Sequence, residues 1–139
     1  SSLTLNCRAG EDTFDVLTPL SPLATLMLKG GDDADTFGAD QNIELGDTTN
    51  IVIDGGDPTT APGDVLNIDL AAIAGVDPIF IDTTQGTIVV GGSAEPFTFT
   101  NIETINAHLN GQALPPIEDG GLLVMATDAS ERIILSGGY

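Results

Sequence analysis

Short runs of alternating apolar and polar residues recur along this chain, each broken by a corner of glycine and aspartate. Thr25-Leu26-Met27-Leu28 leads into Gly30-Gly31-Asp32-Asp33, and Thr36-Phe37 leads out. Alternation over four to six residues predicts a half-buried strand. The paired glycines admit the positive φ that a tight corner demands. The unit then repeats. Leu5 to Phe14 aligns without a gap on Leu28 to Phe37 at an offset of 23 residues, and Asp-Thr-Phe is identical in both. A third copy opens at Ile53-Asp54-Gly55-Gly56-Asp57, takes the insertion Pro58-Thr59-Thr60-Ala61-Pro62, and resumes at Gly63-Asp64-Val65-Leu66. A degenerate copy occupies Val124 to Ile133, and spacing alone places further copies near Ile79 and Ile102.

A period of this length with two or three short strands predicts an all-β fold, a parallel β-solenoid of about five to six turns. In such a fold each turn buries its apolar side chains on the turns above and below. Two inward stacks follow from the alignment: Leu5, Leu28, Ile53, Ile102 and Val124, and Phe14, Phe37, Leu66 and Ile133. The competing architecture is an antiparallel sandwich with Gly-Asp turns. Residues 78–100 break the pattern. Ile79 to Asp82 and Thr87 to Val90 flank Thr83-Thr84-Gln85-Gly86, and the stretch reads as a β-hairpin excursion. Leu70 to Ala74 is expected to form one helical turn. The whole of residues 1–139 reads as a single module.

Charge narrows the function. Of 139 residues, 21 are acidic and 3 basic, for a net charge of −18. Such a surface cannot neutralise a phosphate backbone or an anionic membrane, which excludes nucleic-acid binding and polybasic membrane anchoring. With 41% hydrophobic and 17% charged residues, the chain is not a disordered acidic tail. Cys7 stands alone, so no internal disulfide or thiolate cluster is available. No apolar run approaches the roughly 18 residues needed to span a bilayer as a helix. Catalysis is not expected. His108 is the one histidine, too few for an open zinc site. There is no nucleophile elbow, P-loop or dinucleotide fingerprint. Adjacent carboxylates such as Glu11/Asp12 and Asp32/Asp33 recur in equivalent copies and cannot all be catalytic. The Asp57-Pro58 and Asp77-Pro78 bonds read as turn chemistry.

The copies resemble the G-G-x-G-x-D-x-U-x nonapeptides of haemolysin-type (RTX) calcium-binding proteins, where U is apolar. Gly30, Gly31, Asp35 and Phe37 match in the second copy, with Asp33 in place of the third glycine. Gly55, Gly56, Asp64 and Leu66 match in the third. In the first copy Gly10, Asp12 and Phe14 match, but Cys7 and Arg8 replace the leading glycines. The motifs are single and the period is longer than in that family, whose β-roll pairs two nonapeptides per turn. The resemblance implies calcium as cofactor, which takes six to eight oxygens from carboxylates and carbonyls. Its expected ligands are Asp12, Asp32, Asp33, Asp35, Asp57 and Asp64. The alternative is that these aspartates cap the backbone of their own turns.

The resemblance also implies a secreted or cell-surface location and a structural or adhesion role within a very large bacterial protein. The expected partners are neighbouring repeats of that protein, or a second copy of the chain associating through open ends. The final Leu135-Ser136-Gly137-Gly138 repeats the opening of the earlier copies, as expected for a slice of a longer array. The alternative function is a carbohydrate-binding module that uses one face of the stack to hold a polysaccharide.

Overall fold

The computed structural model describes residues 1–125 apart from 18, 19, 21, 47, 59–62, 74–77, 110 and 119. The degenerate copy beyond Met125, with Ile133, and the terminal Leu135 to Gly138 therefore lie outside the described residues. So do most of the insertion after Pro58 and the Asp77 side of Asp77-Pro78.

The described chain is all-β, with one short 3-10 turn at Ala71–Ile73 where a helical turn is expected. It is organised in layers. The first holds β1 (Ser2–Ala9) and β2 (Thr13–Phe14); the second holds β3 (Thr25–Asp32), β4 (Thr36–Phe37) and β5 (Ile43–Glu44). The third holds β6 (Asn50–Gly56) and β7 (Val65–Asp69). An antiparallel meander follows, of β8 (Ile79–Asp82), β9 (Thr87–Val90) and β10 (Ser93–Thr100). The chain continues through β11 (Thr104–Leu109), β12 (Gln112–Ala113), β13 (Ile117–Glu118) and β14 (Leu122–Met125).

The repeat offset becomes register. Leu5 pairs with Leu28 and Leu28 with Ile53, in parallel strands. Phe14 pairs with Phe37 and Phe37 with Leu66 in a second parallel set. A fourth layer is completed by β10 and β11, where Phe99 pairs with Ile53 and Ile105 with Leu66. One sheet runs β1-β3-β6-β10-β9-β8-β14 and the other β12-β11-β7-β4-β2, with β13 on β11 and β5 on β7. The apolar columns of these layers form one core, from Leu26, Leu28, Ile51 and Ile53 to Phe37, Leu66, Ile68 and Ile105.

Parallel stacking describes only part of the chain. The sheets are mixed and do not close, because β9, β8 and β14 join antiparallel beyond β10. Two members of the expected inward stack are displaced by this meander. Phe99, not Ile102, lies over Ile53, and Val124 sits in β14 against Phe80. Ile79 pairs antiparallel with Val90, so it does not open a parallel copy. The 78–100 segment behaves as its pattern reads at β8 and β9, whose turn is held by Asp82 Oδ1 accepting from the amides of Thr84 and Gln85.

The aromatic step of the stack is tight. The rings of Phe14 and Phe37 lie 4.8 Å apart at 4° between planes, and Phe37 is fully buried. Phe37→Ala is expected to lower unfolding free energy by about 3–5 kcal/mol in urea titration, as a core aromatic truncation does. A loss below about 1 kcal/mol would contradict this packing.

Candidate functional site

Where each layer turns from the first sheet to the second, strand pairing is interrupted and backbone amides need other acceptors. Three acidic side chains, those of Asp35, Asp64 and Glu103, supply them. The amide of Asp12 donates to Asp35 Oδ1 at 2.8 Å, that of Asp35 to Asp64 Oδ1 at 2.7 Å, and that of Asp64 to Glu103 Oε2 at 2.7 Å. Backbone bonds run the opposite way between the same layers, from Thr36 to the carbonyl of Asp12, Val65 to that of Asp35, and Thr104 to that of Asp64. Each step of the ladder therefore joins two layers twice.

The ladder needs room that only glycine leaves. A Cβ at Gly30 would strike Asp35 Oδ2, and one at Gly55 would strike Asp64 Oδ2 and the carbonyl oxygen of Asn101. The Gly-Gly pairs thus make space for the carboxylates as well as permitting the turn. The cost falls on the carboxylates. Asp35, Asp64 and Glu103 are buried, and the Oδ2 atoms of Asp12, Asp35 and Asp64 are buried without a hydrogen-bond partner. Burial pushes the Asp35 carboxyl above its ordinary range against the opposing effect of the Asp12 amide, and neighbouring Asp12 and Asp33 add to the rise. For Asp64, burial and the charges of Glu103, Asp35 and Asp54 outweigh the Asp35 amide and lift the pKa to about 6.

The six residues expected to bind calcium divide. Asp12, Asp35 and Asp64 are brought into the ladder. Asp32, Asp33 and Asp57 stay exposed at the rim, where Asp33 Oδ2 accepts from the amide of Gly10 at 3.1 Å and the amide of Asp57 donates to the carbonyl of Gly31. Among the described residues no three His, Cys, Asp or Glu side chains converge to hold a metal ion. Asp35 and Asp64 cap the backbone, but that of the adjacent layer and not of their own turn, and Asp12 enters the ladder through its amide. Glu103 is the member that the Gly-Asp pattern misses. Its signal is the tripeptide acid, β-branched, apolar: Asp12-Thr13-Phe14, Asp35-Thr36-Phe37, Asp64-Val65-Leu66 and Glu103-Thr104-Ile105.

Amides extend the same device on the second sheet, where Asn106 Nδ2 donates to Asn67 Oδ1 and Asn67 Nδ2 to the carbonyl of Gly38. Beside the Glu103 end lies a cleft of about 490 Å³ lined by Thr83, Thr84, Gln85, Thr100, Asn101 and Glu103 among others. Among the described residues no helix is long and apolar enough to cross a membrane. Compared with family models, curated proteins and solved structures, the chain matches none.

Asp64 makes the ladder sensitive to pH. Its folded pKa of about 6 exceeds the ordinary value near 3.9, so between those values the folded chain holds a proton that the unfolded chain releases. Stability should be fully expressed below pH of about 4 and fall as pH rises through about 6. In Asp64→Asn the side-chain oxygen can still accept from the Asp35 amide, and the titrating group is removed. Chemical unfolding across this range should then give a flatter profile and no loss at pH of about 7. Asp64→Ala orphans the buried Asp35 amide and should cost about 1–3 kcal/mol or more. Equal pH profiles for wild type and Asp64→Asn would rule out Asp64 as the titrating group.

Proposed function

We propose that the chain is a non-catalytic structural or adhesion module of a large exported protein, a short parallel β-solenoid whose last layer is extended by an antiparallel meander. The observation that carries this reading is the use made of the acidic groups. The carboxylates of Asp35, Asp64 and Glu103 are committed to the backbone of the adjacent layer. A general acid, a nucleophile or an open-site ligand must instead present its free oxygen to a substrate. The exposed surface is strongly acidic, which suits a protein that works outside the cell and resists non-specific association.

Calcium is the rival explanation of how the layers hold together. One occupied site at about 100 times its dissociation constant would add roughly 2.7 kcal/mol. Thermal melting in calcium and in chelator at matched ionic strength is expected to give equal midpoints, because one oxygen of each of Asp35, Asp64 and Glu103 already has an amide donor from the adjacent layer. A clear rise in calcium would transfer the stabilising role to metal coordination by Asp32, Asp33 and Asp57 at the rim.

The second reading, carbohydrate binding, is favoured by the cleft alone. Thr83, Thr84, Thr100, Gln85 and Asn101 offer hydroxyl and amide groups of the kind that recognise a neutral polyhydroxylated ligand. Titration with soluble oligosaccharides, monitored at the amides of residues 83–86 and 100–103, separates it from the structural reading. Shifts confined to those residues and removed by Gln85→Ala would support it.

A further inference from the structure

One column of the stack changes residue type at the outermost layer. Arg8 pairs with Gly31, and Gly31 with Gly56. All three have positive φ, at 81°, 121° and 104°. In the two inner layers the reason for glycine is contact with the layer before. A Cβ at Gly31 would strike the carbonyl oxygen of Arg8, and a Cβ at Gly56 would strike that of Gly31. At both positions the Cβ direction points back along the stack. Arg8 shares their register and backbone hand, yet carries a Cβ and a long charged side chain. Its side chain therefore projects past the free edge of β1, into the place that the carbonyl of a preceding layer would occupy.

The rest of β1 is that of an inner layer left uncovered. Leu3 and Leu5 are 45% and 44% exposed, whereas their partners Leu26 and Leu28 are 5% and 1% exposed. Among the described residues, no strand pairs with the outer side of β1. Asp12 carries the carboxylate that, at Asp35 and Asp64, accepts the amide of the preceding layer. We propose that the outer edge of β1 is a docking edge for one more parallel layer of this same Gly/Asp repeat, and that Arg8 is the single residue holding it shut. The occupant follows from continuity with the β1–β3 and β3–β6 interfaces: apolar residues opposite Leu3 and Leu5, and an amide above Asp12. A charged residue at a strand edge is a known guard against unwanted pairing. Here the guard also rests on the Cβ itself, since any residue other than glycine meets the same carbonyl. The inference stands on the registers and holds whether or not the module is adhesive or binds calcium.

The test places one further layer ahead of β1. A second copy of residues 24–46 placed before Ser1 restores the 23-residue offset, in three versions: wild type at position 8, Arg8→Ala and Arg8→Gly. Hydrogen exchange is read at the β1 amides that face away from β3, against the unextended chain with the same residue at position 8. With Arg8→Gly the added copy should dock, slowing exchange at these amides by about tenfold or more. With Arg8 or Arg8→Ala it should stay off and leave exchange unchanged. Protection in the wild-type extension would show that Arg8 blocks nothing. Protection in Arg8→Ala would show that the Cβ is not the stop, and no protection in Arg8→Gly would show that the edge does not accept a layer. The unextended Arg8→Gly chain, melting at or above the wild-type midpoint, verifies that the substitution leaves the fold intact.

Discussion

A carboxylate reaching across to the amide of the adjacent layer is the interaction on which the stacked part of this protein depends. At the corners of the layers the regular ladder of strand hydrogen bonds is interrupted, and a buried amide left there would cost about 1–3 kcal/mol. An aspartate side chain is short enough to stay within its own corner and long enough to meet the amide about 4.8 Å away in the next strand. Glu103, with one more methylene, serves the last step at the same 2.7 Å distance. The glycine that leaves room for each accepting acid (Gly30 for Asp35, Gly55 for Asp64, Gly63 for Glu103), the β-branched residue after the acid and the apolar residue beyond all follow from that one bond. The glycine makes room, the strand resumes, and the core is filled.

The same bond explains why the acids are under electrostatic stress. The carboxylates of Asp35 and Asp64 each have one oxygen satisfied and the other enclosed without a partner. Burial and the nearby charges of Glu103, Asp35 and Asp54 favour a protonated Asp64 over its anion. A chain with −18 net charge gains further from each proton taken up inside. The raised pKa of Asp64 is thus a consequence of architecture, and needs no catalytic purpose to account for it.

Much of this was legible in the residues before any coordinates. The 23-residue offset between Leu5 and Leu28 becomes strand register without adjustment, and Asp-Thr-Phe in two copies becomes the Phe14–Phe37 stack. What was not legible has a common cause. Spacing extrapolated past Ile53 assumes that every stretch of chain adds a parallel layer, but β8 and β9 leave the parallel order and β10 restores it, so Phe99 replaces Ile102. The direction in which the aspartates reach was equally hidden. A Gly-Asp corner reads the same whether the acid faces a metal, its own turn or the layer beside it. Glu103 lacks the Gly-Asp corner of the other copies, and only the tripeptide of acid, β-branched and apolar residues marks its position.

The partners in the ladder are 23, 29 and 39 residues apart in sequence, yet their hydrogen bonds differ by no more than 0.1 Å, at 2.8, 2.7 and 2.7 Å. Contour length between layers is therefore free to vary, because a corner is located by its acid and its glycine and not by the count of residues leading to it. The scaffold behaves like a shelf with fixed brackets, on which connecting segments of different size can be hung without disturbing the shelf above. The insertion that opens at Pro58 and the β8–β9 meander are two such segments that this chain already holds. Foreign loops spliced between one bracket and the next would inherit the same tolerance, which makes these corners natural sites for grafting new surfaces.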